Sequence, residues 1–326
     1  MKWINFTINN FDKILYLKNK FNKFTVPLLI NYMKDEKKLI NQLQNIDFKI
    51  EEIKLPLDQL KSYSSSYFVN TDGVLNDLNN LIIEVKISFG NNNIYLKCTK
   101  DKFESIKKRL PIFLKMIVYL KKTKELNIYL ILTKLKKQYF NSKEIGANHV
   151  NSGYTDFNKN IIFIWREEEF EKVTFHELMH ILDKDHRNEN FDIDISYEIK
   201  EDMHRYYEAL TDCKAICYNI IYLSILTNLK ISSILKYEIY FMNNQALYMQ
   251  SILNQGIKQN SSVYAYYILK AKLFNYLSNI DQFEFEDIFI HSKNGNTLLN
   301  KIYNNEFLLK KHVDFNSCRM TFFELY

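Results

Sequence analysis

Glycine and proline are scarce in this chain, with six and three among 326 residues. So little punctuation leaves no visible repeat and no linker that composition alone would mark. Cysteine is also sparse. Cys98, Cys213, Cys217 and Cys318 form no CxxC pair and are too few to staple a chain of this length, so they read as packed, reduced thiols. Arginine occupies only five positions while Asn, Ile, Lys, Tyr and Phe abound, the imprint of AT-rich coding rather than of chemistry. Charge of one sign is missing too. Forty-four basic against 38 acidic residues leave a formal charge of +6, and the two signs are interleaved, so no basic face is visible and nucleic acid is not an expected partner. The opening MKWINFTINNFDKILYLKNK lacks the unbroken apolar run of a signal peptide, and no later segment reads as membrane-spanning. A soluble, intracellular (cytoplasmic) product without membrane contact is expected.

What is present is a hydrophobic content of 47%, enough for one large core or two modest ones. Residues 1–79 read as helices and short strands with no chemical constellation, a region of unknown role, and Ser62–Ser66 is its nearest approach to a loop. From residue 80 the pattern sharpens. LIIEVKISF, GNNN and IYLKCTK read as a β-hairpin turned by Gly90 to Asn93, followed by a helix from Lys102 to about Thr123 that contains Pro111. LNIYLILTKL, HVNSGYT and NIIFIW are expected as strands. REEEFEKVTFHELMHILDKD is expected as a helix with acidic residues in its first turn. RNENFDIDIS reads as a loop, and a long helix from about Tyr197 to Leu226 buries Ala209, Leu210, Cys213, Ile216, Cys217 and Ile220. The class expected is α+β, predominantly helical, with 80–186 carrying the sheet and 187–326 a helical lobe.

One motif carries chemistry. His176, Glu177 and His180 form a complete His-Glu-x-x-His sequence. Residues four apart on an α-helix lie about 40° from each other around the axis, so both imidazoles can hold one Zn²⁺. Glu177 is offset by about 100°, which suits a general base for a water that the metal activates. Such a base takes the water's proton as the water attacks a polarised carbonyl, then returns it to the leaving amine. Val173, Thr174, Phe175, Leu178, Met179, Ile181 and Leu182 around the motif are uncharged, as a buried helix requires.

A zinc site of this kind needs a third protein ligand. His186, ten residues after His176, has the metzincin spacing, but it would need a sharp left-handed turn near Asp183, where glycine is usual. Glu208 fits better, on a later helix that can pack against the first. Asp212, one turn on, is then placed to accept the free ring N–H of a liganding histidine and fix its tautomer.

Together, His176 to His180 and the E-x-x-x-D pair Glu208 and Asp212 resemble the gluzincin, thermolysin-like branch of the zincin metallopeptidases. The resemblance implies a two-lobed fold with a small twisted sheet, a signature helix and a helical C-terminal lobe, acting on a protein or peptide substrate, with endopeptidase activity the first expectation. It also implies that a sheet-edge strand, here His149 to Thr155, pairs with an extended substrate. Such enzymes stabilise the oxyanion with a His, Tyr or Arg. His204 is the first candidate, with Tyr206, Tyr207, His291 and His312 behind it. A catalytically inactive zincin-fold binding or assembly module is the alternative.

Overall fold

A glycine-marked turn sets the register of the hairpin in the sheet. Gly90 takes φ 51°, in the left-handed region, and a two-residue reversal follows because Phe89 pairs directly with Asn92. The turn is therefore tighter than the GNNN stretch suggests, with Asn92 and Asn93 already in the strand.

The structure is a computed structural model describing residues 2–20, 27–66, 69–121, 125–139, 142–182, 206–277, 302, 307, 309, 312–315 and 317–325. In chain order it comprises α1 (Asn5–Asn9), α2 (Phe11–Lys20), α3 (Pro27–Gln42), β1 (Lys49–Glu52), α4 (Leu57–Ser64), α5 (Thr71–Asp77), β2 (Ile83–Phe89), β3 (Asn92–Cys98) and α6 (Lys100–Leu120). There follow β4 (Leu126–Thr133), β5 (Glu144–Ile145), α7 (Ala147–Val150), β6 (Gly153–Asp156), β7 (Ile161–Arg166), α8 (Phe170–Leu182), α9 (Tyr206–Thr227), α10 (Ile231–Leu253), β8 (Lys258–Gln259), a π-helical segment Tyr264–Leu269 and α11 (Lys270–Leu277). The protein is α+β and mostly helical, with a six-stranded mixed sheet in the order β1-β2-β3-β4-β7-β6. β3, β4 and β7 run parallel, and the outer pairs are antiparallel. β5 and β8 form a separate two-stranded sheet.

The near-continuous apolar runs of β4 and β7 have a physical cause: both faces of the sheet centre are covered. Ile128, Leu130, Leu132, Ile162 and Ile164 join the main core with α6, α8, α9 and α10. Tyr129, Ile131, Phe163 and Trp165 pack on the other face against Leu60 of α4, Val74 of α5 and neighbours. Residues before 80 thus supply the sheet's β1 and the cover of one face, and Leu29, Met33 and Ile40 of α3 join the main core.

Pro111 lies inside α6, whose helix runs on to Leu120. The stretch 149–155 divides: His149 and Val150 end the short helix α7, and only from Gly153 is the chain β-structured. The acidic run before the signature is also placed differently from expectation. Helix α8 starts at Phe170, so Glu171 alone is in its first turn. Glu168 and Glu169 precede it and bind buried cations, Glu168 to Arg319 at 2.9 Å and Glu169 to Lys137 at 2.7 Å. Glu169 holds the left-handed φ of 59°, a costly conformation that its anchored carboxylate over-determines.

The window Tyr207–Thr227 of α9 is long and apolar enough by composition to cross a membrane, contrary to the expectation that no segment reads so. Of that window 78% is buried inside the fold, because α8, α10, α11 and the π-helical segment surround it. All four cysteines are buried and unbridged.

Residues 317–325 run without regular structure through the interior, and their backbone groups need partners there. Carboxylates supply them. Glu169 Oε1 accepts from the amides of Met320 and Thr321 at 2.8 and 2.5 Å. Glu238, fully buried on α10, accepts the Thr321 hydroxyl and the amides of Phe322 and Phe323 at 2.6 to 2.9 Å. Removing that acceptor orphans three buried donors. Glu238→Ala is expected to lower the unfolding free energy by about 3 kcal/mol or more, and Glu238→Gln, which keeps one acceptor oxygen, by about half as much. Urea denaturation followed by circular dichroism measures both, and equal stability of the Ala variant and the parent would refute the role.

Candidate metal centre

Helix α8 is enclosed on its apolar and its polar sides alike: Phe175, Leu178 and Met179 are core residues, and α8 packs on α6, α9, β6 and β7. His176, Glu177 and His180 emerge where α9 crosses it, all at 5–6% exposure. The first turns of α9 bring Glu208 and Asp212 to the same place, at 6% and 0%.

Among the described residues, His176, His180 and Glu208 form the one group of potential ligands whose donor atoms converge, all within 4.8 Å of one another. His176 Nε2 lies 3.0 Å from His180 Nε2 and 3.4 Å from Glu208 Oε2. His180 Nε2 to Glu208 Oε2 is 3.1 Å. Ligand bonds of about 2.0–2.1 Å in a tetrahedron put donor atoms about 3.3–3.4 Å apart, so the triangle is close to the size a zinc ion requires. Glu208 Oε2 is buried without a hydrogen-bond partner among the described residues, a deficit that a cation would fill. Among the described residues both nearby lysines, Lys172 and Lys270, pair with Asp212, and neither pairs with Glu177 or Glu208. The residues present fit a metal ion.

Asp212 holds the arrangement from behind. Its Oδ1 accepts from His176 Nδ1 at 3.0 Å and pairs with Lys172, and its Oδ2 pairs with Lys270 at 2.6 Å. With Nδ1 engaged by Asp212, Nε2 is the nitrogen of His176 that faces the ligand triangle and would take a metal once its proton is displaced. Burial would raise the Asp212 pKa, but Lys172, Lys270 and His176 carry it well below the usual carboxylate range. Glu208 is likewise held low against burial by His180 and His176.

Glu177 has its own partner. Thr155 Oγ1 on β6 donates to Glu177 Oε2 at 2.7 Å. Tyr266, in the π-helical segment, places its ring 5.7 Å from that of His176. Burial first, then Glu208, Glu177 and Asp212, push the Tyr266 pKa well up, so its hydroxyl stays a protonated donor. Irregular helical turns of this kind recur at functional sites.

The residues expected from the sequence that fall here are His176, Glu177, His180, Glu208 and Asp212. His186, His204 and His291 lie outside the described residues, as does the Tyr206 side chain. Tyr207 packs near His180, ring centroids 6.3 Å apart, while His312 packs on Tyr248. Thr155, Lys172, Lys270 and Tyr266 went unread. Lys172 precedes His176 by one helical turn and so shares its face, a signal within the sequence. Lys270 and Tyr266 arrive from far along the chain and carry none. Compared with known proteins, the chain matches no family model, no curated protein and no solved structure.

The pH dependence of metal uptake follows from His176. Burial lowers its pKa, but the nearby carboxylates of Asp212, Glu208 and Glu177 outweigh that and raise it to about 9. In the metal-free protein it is therefore protonated at neutral pH, and a metal must displace that proton. Apparent zinc affinity is expected to rise about tenfold per pH unit as pH increases toward the His176 value, measured by competition with a chromogenic chelator. The metal-free fold shows the opposite trend. Its stabilisation by protonated His176 is complete below about 6.5 and is lost as pH rises through about 9. An affinity flat between pH 6.5 and 8.5 would contradict this assignment.

Proposed function

We propose that this protein is a zinc-dependent metallopeptidase of the gluzincin, thermolysin-like kind, built on a zincin-like two-lobed fold and acting inside the cell on protein or peptide substrates. The observation that carries the reading is the buried triangle of His176 Nε2, His180 Nε2 and Glu208 Oε2, with edges of 3.0, 3.1 and 3.4 Å and the carboxylate of Glu177 beside it on the same helix. A purely structural site has no use for that carboxylate.

His176, His180 and Glu208 would hold the ion. Bound there, zinc supplies Lewis acidity toward a carbonyl oxygen and toward water. Glu177 then receives the proton that the attacking water loses and delivers it to the leaving nitrogen. Asp212 keeps the proton of His176 on Nδ1, so that Nε2 faces the ion. Tyr266 is the donor we place on the developing oxyanion, in a role that the sequence had suggested for His204. β6 ends the sheet with no strand on its outer side among the described residues, which leaves an edge for an extended substrate and supports an endopeptidase.

Four variants test the assignment. Glu177→Gln is expected to retain zinc while hydrolysis of a peptide library falls by about 10² to 10⁴ or more. Glu208→Gln should lose zinc at chelator concentrations that the parent resists, and His186→Asn should keep it. Asp212→Asn is expected to lose about 10- to 100-fold in affinity or activity. Metal analysis and competitive titration rank them. Parent-like turnover by Glu177→Gln would sink the mechanism, and one zinc per chain without cleavage would favour a binding or assembly module.

A further inference from the structure

Glu177 is not held by its own helix. A glutamate side chain has three rotatable bonds, and a base left to sample them spends much of its time misplaced. The strand beside it removes that freedom. Gly153 and Thr155 lie two residues apart on β6 and so share one face of the strand, the face turned to α8. A Cβ built on Gly153 would fall 2.8 Å from Val173 Cγ1, 3.2 Å from Glu177 Oε1 and 3.3 Å from Glu177 Cγ. Only glycine lets strand and helix approach so closely. Thr155 Oγ1 donates to Glu177 Oε2 at 2.7 Å and lies 3.2 Å from the Glu177 carbonyl oxygen. The opposite face of β6 is tied down as well, since Tyr154 packs on Phe163 with ring centroids 5.6 Å apart and donates its hydroxyl to Tyr63 O at 3.0 Å.

We propose that Thr155 and Gly153 are positioning residues for Glu177, Thr155 holding the carboxylate by Oε2 so that Oε1 is the oxygen presented to the reacting proton, and Gly153 permitting the approach. The inference rests on the peptidase reading. Chemistry favours a hydroxyl in this place. A lysine or arginine would fix the carboxylate too, but would stabilise its ionised form strongly and weaken it as a base, whereas a neutral donor orients it at smaller cost. Threonine also has few χ1 wells, so its Oγ1 is itself well placed. The strand that fixes the base is the one whose outer edge would receive the substrate backbone. Alignment of substrate and alignment of base are thereby set by the same four residues.

The test compares Thr155→Val, Thr155→Ser and Gly153→Ala in the full-length, zinc-loaded protein. Thr155→Val keeps the shape and loses the hydroxyl. Its kcat is expected to fall by about 10- to 100-fold, with KM changed by less than about threefold and zinc content unchanged. Thr155→Ser should recover kcat to within about threefold of the parent, and Gly153→Ala should lower kcat by pushing β6 from α8. Parent-like kcat in Thr155→Val, equal losses in the Val and Ser variants, or a loss confined to KM would each overturn the proposal. Crystal structures of the parent and Thr155→Val give a readout independent of turnover. Displacement of the Glu177 carboxylate in the variant supports the assignment, and an unmoved carboxylate overturns it. A zinc-loaded parent that cleaves no peptide defeats the peptidase reading alone, and the two crystal structures then decide this one.

Discussion

Asp212 is the group on which the architecture of the site depends. A carboxylate with no exposed surface is stable only if its charge is answered on the spot, and here the answers come from three residues: Lys172 and His176 on α8, and Lys270 at the start of α11. Each partner is itself buried, so none can leave without stranding another. Helices α8, α9 and α11 are therefore registered against one another by charge, and apolar packing fills in around that register. The position of His176 Nε2 in the ligand triangle is a consequence, as is the proximity of Tyr266, four residues before Lys270.

A second set of buried charges organises the other end of α8. Arg109 pairs with Glu171 at 2.5 Å, Lys137 with Glu169 at 2.7 Å, and Arg319 bridges Glu168 and Glu324 at 2.9 and 2.5 Å. Burial pushes the Glu169 pKa up, yet Lys137, Arg319 and Lys172 bring it down to about 2. These pairs add specificity rather than large net stability, because desolvation offsets most of the attraction. Their effect is to fix where α8 begins, and so how far along it the histidines stand from the sheet.

What was legible in the sequence was local. Histidines four apart with an intervening Glu declare their face by helix geometry alone, and Glu208 with Asp212 declare theirs in the same way. The β-hairpin and the apolar strands β4 and β7 could be read because period and turn residues are short-range signals. The acidic run before the signature could not be placed. Glu168 and Glu169 resemble a favourable first turn until Lys137 and Arg319, distant in sequence, claim them for the interior. His149 and Val150 looked extended but close the small helix α7. Tertiary partners overrode local pattern in each case, and the same cause hid Lys270 and Tyr266.

The stretch 317–325 has a consequence for how the protein comes into being on the ribosome. Glu238 and Glu169 accept from amides and a hydroxyl of Met320 to Phe323, so helices α8 and α10 are made long before the donors that these buried carboxylates hold. The start of the helix that carries His176 and His180 is thus held by donors made 151 and 152 residues after Glu169, so its final seat is set by a distant part of the chain rather than by its own neighbourhood.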